Sequence, residues 1–191
     1  MRTAILAGTL LAAVLAAPLA AATRTSPNFD FQGSPQAEPV LGGGNACPGD
    51  AIAALPFTDA GTTCDNTNTI TNYTGACTLP FPYGGENAIY QITLAAGNNV
   101  AFDLQLDGSA GDLAMFLITT CGNGTTCVDN SEDSIGAGVE PETIPAFSYA
   151  AGTYFLYIDS YYAAGTAGSC GTYTLNVTGS LPVELMSFSI D

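Results

Sequence analysis

A chain of 191 residues carries 17 Asp or Glu against 2 Lys or Arg, and contains neither His nor Trp. Without His there is no Ser-His-Asp or Cys-His nucleophile, no HExxH zinc helix and no imidazole base. A formal charge of -15 also excludes a nucleic-acid binder, because affinity for phosphates comes from clustered bases.

Met1 and Arg2 give a positive start, residues 4–16 form a small, apolar run, and Pro18 precedes Ala20-Ala21-Ala22. This is the pattern of a secretory signal peptide over residues 1–22 with an A-x-A cleavage site. The run is shorter than the roughly 20 residues a membrane-spanning helix needs, and no later segment is long and apolar enough, so the exported chain is expected to have no transmembrane segment. That chain holds one base, Arg24, against all 17 acids, for a net charge of -16. Only 10% of residues are charged while 47% are hydrophobic, which separates it from an acidic disordered tail and predicts a folded domain.

Residues 23–46, with several prolines and the Gly42-Gly43-Gly44 run, read as a flexible linker. From Cys47 onward short apolar runs alternate with Gly, Asn, Asp and Pro punctuation, the rhythm of antiparallel β-structure. Residues 89–94 alternate with period two. Residues 100–106 do so more strictly, with Val100, Phe102, Leu104 and Leu106 on one face and Ala101, Asp103 and Gln105 on the other. Residues 113–118 and 154–158 are continuously apolar, which predicts mid-sheet strands covered on both faces. Tyr173, Leu175 and Val177 alternate with threonines and Asn176 in a last strand. Turns are expected at Ala96-Gly97-Asn98-Asn99, Asp107-Gly108 and Ala150-Ala151-Gly152, each reversing one strand into the next. No amphipathic helix follows the signal peptide. The expected fold is all-β, a two-sheet antiparallel sandwich or jelly roll of about eight strands over residues 47–179, with a C-terminal extension at 180–191.

The six cysteines, Cys47, Cys64, Cys77, Cys121, Cys127 and Cys170, all lie in the exported part and make three disulfides the simplest reading. With no CxxC pair and no His, a tetrahedral zinc site has no support. Sequence cannot choose among the connectivities, but proximity favours Cys121 with Cys127 across the Gly122-Asn123-Gly124 turn and Cys64 with Cys77 across an Asn/Thr loop. By elimination Cys47 would then meet Cys170 and tie the start of the domain to its last strand.

The succession CPGDAIAALPFTDAGTTC, GENAIYQITLAAGNNVAFDLQL, GDLAMFLITTCGNGTTC, YAAGTYFLYIDSY and GSCGTYTLNV resembles the bacterial pre-peptidase C-terminal domain family from about Cys47 to Thr178. Members of that family are small secreted β-sandwich modules, appended to extracellular proteases or other surface proteins and not themselves catalytic. The resemblance therefore implies a binding, targeting or secretion-assisting module, although the family commonly follows a peptidase domain and none is present in this sequence. The tail LPVELMSFSID resembles the PVEL-type segment that precedes C-terminal sorting or anchor regions; an edge strand without a sorting role fits the same residues.

Two candidate sites remain. Asp129, Asn130, Glu132 and Asp133 form the densest oxygen cluster, and Asp112 joins it by the family's logic. Hard oxygen ligands on a disulfide-stiffened loop are what Ca²⁺ selects, and some modules related to the family bind calcium; the alternative is a solvated acidic loop. Tyr149, Tyr154, Tyr157, Tyr161 and Tyr162 are dense in the C-terminal third, and Tyr161-Tyr162 falls in a turn where a core has no need of rings. Those two are the candidate contacts to an extracellular protein or polysaccharide, whereas Tyr154, in strand with Leu156 and Ile158, belongs to the core. A glycosidase would need two acids flanking a cleft, and a small sandwich without Trp or long insertions offers poor means of holding a sugar there. The expected function is a non-catalytic binding or cell-surface module. The alternative is a subunit of an extracellular matrix or filament assembling through its terminal segments.

Overall fold

The computed structural model describes residues 42–77, 79, 81–106, 111–132 and 141–181. The signal peptide, most of the linker, the Asp107-Gly108 turn, Asp133 and the PVEL segment lie outside them. Among the described residues there are nine strands: β1 (Asp50–Ile52), β2 (Phe57–Thr62), β3 (Ala88–Leu94), β4 (Asn99–Leu106), β5 (Leu113–Ile118), β6 (Cys127–Ser131), β7 (Glu142–Ser148), β8 (Gly152–Ser160) and β9 (Thr172–Gly179). They form a five-stranded sheet in the order β1-β3-β8-β5-β6 and a four-stranded sheet in the order β2-β9-β4-β7. All pairings are antiparallel except β1 with β3. No helix among the described residues is long and apolar enough to cross a membrane.

The alternating runs become strands as expected, but the turns between them do a different job. The turn at residues 95–98 carries the chain from β3 in one sheet to β4 in the other, and residues 149–151 carry it from β7 back to β8. Of the strands consecutive in sequence, only β5 and β6 pair with each other. Alternation reports that one face is buried; it carries no information on which strand lies alongside.

The continuously apolar strands are covered twice. On β5, Leu113, Met115 and Leu117 enter the core between the sheets, while Ala114, Phe116 and Ile118 enter a second cluster on the outer face. On β8, Tyr154, Leu156 and Ile158 point inward and Tyr157 outward. The outer cluster is roofed by the described residues between β2 and β3, which contribute Ile70, Tyr73, Cys77 and Tyr83. Tyr73 stacks on Phe116 with centroids 3.8 Å apart and planes 9° from parallel, and Tyr83 meets the same ring edge-on at 4.8 Å. That loop is thus a third layer rather than a solvated excursion.

The disulfides correct the sequence reading in all three pairs. Cys47 joins Cys121, Cys64 joins Cys170 and Cys77 joins Cys127, with Cα separations of 5.9, 4.8 and 5.6 Å. The register explains the second: Thr62 lies opposite Thr172 on β2 and β9, and two residues further along the same ladder bring Cys64 opposite Cys170. Cys127 cannot serve Cys121 because its hairpin partner is Ile118, and it is bound instead to the roof, where Ala76 N–H donates to its carbonyl at 3.0 Å. Cys77 is thereby drawn away from Cys64. Cys121, at the hairpin turn, reaches the segment leading into β1.

That segment includes the Gly42-Gly43-Gly44 run, which the sequence assigned to the linker. Gly44 and Ile89 exchange two backbone hydrogen bonds at 2.9 Å, and the Tyr173 hydroxyl donates to the Gly42 carbonyl at 2.8 Å. Gly43 sits at φ +80°, and a Cβ there would lie 2.7 Å from the Cβ of Ala88. Glycine is required where the strap runs flat against the sheet.

Candidate functional site

The acidic cluster on β6 is divided by the sheet. Asp129 pairs with Leu117 and so faces inward, where its carboxylate accepts from the Tyr149 hydroxyl at 2.7 Å and from the Asn130 N–H at 2.9 Å. Asn130 pairs with Phe116 and faces outward; Glu132 follows on that side and accepts from the Tyr83 hydroxyl. Asp112 lies near Tyr83, and its backbone carbonyl accepts from Tyr161 N–H at 3.0 Å. Strand alternation thus turns Asp129 away from Asn130 and Glu132, while Glu132 and Asp112 both lie on the side of Tyr83. Among the described residues no group of three or more His, Cys, Asp or Glu side chains is placed to hold a metal ion.

The aromatic candidates do gather. Tyr161 and Tyr162 are each 37% exposed, and Phe81, from the roofing loop, is 50% exposed. Tyr161 is the hinge of the group: Phe81 meets it at 5.7 Å with planes 87° apart, and Tyr162 at 5.4 Å with planes 80° apart. Behind it the buried Tyr83 touches the same ring at 6.0 Å and 80°. The ledge stands on hydrogen bonds that zip the roof to the turn after β8. Gly84 and Gly85 N–H donate to the Ser160 carbonyl at 3.2 and 3.1 Å, and Ala164 N–H donates to Gly84 at 2.6 Å. Ser160 Oγ donates to the Gly168 carbonyl at 2.7 Å. Phe81 escaped the sequence reading; its signal is the Pro80-Phe81-Pro82 setting, a large ring in a segment where neither flanking residue can donate to a ladder.

Acidic charge bears on the ring behind the ledge. Burial pushes the Tyr83 hydroxyl far above the usual tyrosine range, helped by its hydrogen bond to Glu132 and by the charges of Glu132, Asp112 and Glu142. The described residues contain no Lys, Arg or His, since the two bases of the sequence are Arg2 and Arg24. Tyr149 and Tyr154 belong to the core between the sheets and Tyr157 to the outer cluster, so of the five tyrosines only Tyr161 and Tyr162 present substantial surface.

A second acid was not legible in the sequence. Asp159, facing outward on β8 beside Tyr157, is wholly buried beneath the roof. Its carboxylate accepts from the Tyr73 hydroxyl at 2.7 Å and from Ser160 N–H at 2.7 Å. Burial raises its pKa from 3.8 to about 7 against the lowering effect of those hydrogen bonds. Tyr73 and Phe116 stack in the same layer.

No protein-family model matches the chain, and no curated protein matches it. Among solved structures, it is similar to the pre-peptidase C-terminal domain of a collagenase from Bacillus anthracis, at 17% identity and a TM-score of 0.44, covering 68% of this chain and 93% of that one. It is also similar to a carbohydrate-binding module, CBM36, in complex with calcium and xylotriose, at 18% identity and a TM-score of 0.31, covering 57% and 89%. A third is the CBM36-1 domain of a multidomain xylanase from the hindgut metagenome of Trinervitermes trinervoides, at 16% identity and a TM-score of 0.32, covering 65% and 98%. The first is a domain of the kind the sequence resembles. The ligands of the second belong to that protein, and the reading of the ledge rests on this chain's own residues.

Proposed function

We propose that the chain is an exported, non-catalytic β-sandwich module of the pre-peptidase C-terminal type that holds an extracellular protein or polysaccharide partner on the Phe81-Tyr161-Tyr162 ledge. The observation that carries this is the contrast in ring placement. Tyr73, Tyr83, Tyr90, Tyr157 and Tyr173 are buried, whereas these three rings are exposed, joined through Tyr161, and set on a hydrogen-bonded base. Exposed aromatic groups held rigid lose little entropy on binding and supply large contact areas. Three disulfides fit an oxidising extracellular setting. A catalytic reading lacks a His, and Asp159, the acid with the strongly raised pKa, is closed to solvent. The alternative of an assembly subunit rests on terminal segments outside the described residues, and edge strand β7 carries Pro145, a residue that blunts strand addition.

The test is a binding panel of neutral oligosaccharides and of acidic and basic peptides, followed by nuclear magnetic resonance of the tyrosine rings. The reading requires that at least one class move the ledge resonances and that Phe81→Ala, Tyr161→Ala and Tyr162→Ala together abolish the effect while the variant still folds cooperatively. Undiminished binding by the triple variant refutes it.

A further inference from the structure

Resting on the ledge as the contact surface, we infer that its occupant is cationic: a lysine- or arginine-bearing segment of a partner protein. Shape is the first ground. The planes of Phe81 and Tyr162 stand at 87° and 80° to that of Tyr161, so the rings form a corner rather than one flat platform. A run of sugar rings stacks on faces that lie parallel; a compact ammonium or guanidinium group touches two faces of a corner at once, each attracting it through the ring quadrupole.

Charge is the second ground. Glu132 accepts from the Tyr83 hydroxyl, Asp112 acts on it by its charge, and Tyr83 packs against Tyr161. No positive side chain exists among the described residues, and the whole sequence carries -15. The field around the corner therefore draws in basic segments and repels polyanions such as uronate-rich polysaccharides and nucleic acids. A cation entering the corner exchanges water for ring faces on one side and keeps carboxylates at hand on the other.

The experiment titrates the oxidised protein with a lysine-rich peptide, its glutamate-rich counterpart and a neutral xylo-oligosaccharide, at low and high salt, following heat and the tyrosine resonances. The lysine-rich peptide is expected to bind and to shift the Tyr161 and Tyr162 signals, and high salt to weaken it several-fold. Tyr161→Ala is expected to weaken it about tenfold, the loss of one well-placed cation–π face. Glu132→Gln, which preserves shape, is expected to weaken it by a smaller factor while leaving the melting temperature unchanged. Peptide binding that is indifferent to Tyr161→Ala is general attraction to a polyanion and overturns both the cation inference and the ledge. An oligosaccharide that binds through the rings while the lysine-rich peptide does not overturns the cation inference alone and leaves the ledge standing. Binding by neither probe at the rings overturns both.

Discussion

Tyr73 and Asp159, 86 residues apart in sequence, meet beneath the roof formed by the described residues between β2 and β3, where the tyrosine hydroxyl donates to the carboxylate at 2.7 Å. The contact binds the third layer of the molecule to its central strand. It also places an ionisable group where water does not reach, so the strength of that layer depends on pH.

The sign follows from the direction of the shift. Burial raises Asp159 from 3.8 to about 7, so the folded state holds this proton more tightly than the unfolded chain. The resulting stabilisation is present in full below pH 3.8 and is lost as pH rises through 7, a change on the order of 4 kcal/mol for a three-unit shift. Asp159→Asn removes the titration and keeps the Oδ1 acceptor for Ser160 N–H, while the Tyr73 bond reverses, Nδ2 donating to the tyrosine oxygen. Denaturant midpoints measured from pH 4 to 9 should fall less steeply for the variant, which should be the more stable protein at pH 8. The difference between the two proteins isolates Asp159 from the repulsion among the other acids. Identical slopes would show that Asp159 ionises normally in the folded state.

The disulfide map is checked by peptide mapping without reduction. Linked peptides are expected for Cys47 with Cys121, Cys64 with Cys170 and Cys77 with Cys127, at separations of 74, 106 and 50 residues. A peptide joining Cys121 to Cys127 would contradict the hairpin register. Because the Cys64 loop is the longest, replacing Cys64 and Cys170 together by Ala should cost on the order of 4 to 5 kcal/mol by loop-closure entropy. Removing Cys77 and Cys127 should cost somewhat less and loosen the roof first, seen as early hydrogen exchange at residues 73–77.

What was legible in the sequence was local. Period-two alternation marks residues 100–106 as a one-sided strand, and the unbroken apolar run at 113–118 marks a strand covered twice; the structure places each accordingly, while on β3, which also alternates, Ile89 enters the outer cluster. Tyr161 and Tyr162 stand out because a turn has no core to fill. Pairing is a different matter, since it is decided by contacts between distant residues. Cys64 finds Cys170 only because β2 lies beside β9, and no pattern within either strand encodes that neighbour. The roof was invisible for a related reason. Tyr73 and Tyr83 sit in Thr-, Asn- and Gly-rich text without periodicity, and their burial becomes intelligible only when Phe116 is seen beneath them. Phe81 reaches the ledge through that same roof, and so was missed with it.

Two glycines with nearly the same backbone should respond differently to a methyl group. Gly43 at φ +80° would set its Cβ 2.7 Å from Ala88 Cβ and 2.9 Å from the Tyr173 hydroxyl, while Gly97 at φ +81° has nothing within 4 Å. Gly97→Ala should therefore cost only the left-handed backbone penalty, about 1 to 2 kcal/mol. Gly43→Ala adds an overpacking cost of about 1 to 3 kcal/mol and strains the Tyr173 bond to Gly42. Equal destabilisation of the two variants in urea would mean that the strap yields rather than packs.

Tyr73 and Tyr161 should separate stability from binding. Tyr73 is 1% exposed, stacked on Phe116 and bonded to Asp159, so Tyr73→Ala removes a packed ring and leaves a buried carboxylate short of a donor. A cost of about 3 to 5 kcal/mol is expected, with the loss greatest above pH 7 where Asp159 is charged. Tyr161 touches Phe81, Tyr83 and Tyr162 but buries less of its surface, so Tyr161→Ala should cost about 1 kcal/mol or less. Its effect belongs to the binding titration, where Tyr73→Phe, which keeps the stack and loses only the hydroxyl, should bind as the unaltered protein does. A Tyr161→Ala protein that melts as early as Tyr73→Ala would make Tyr161 a support of the roof and remove the ledge as a contact surface.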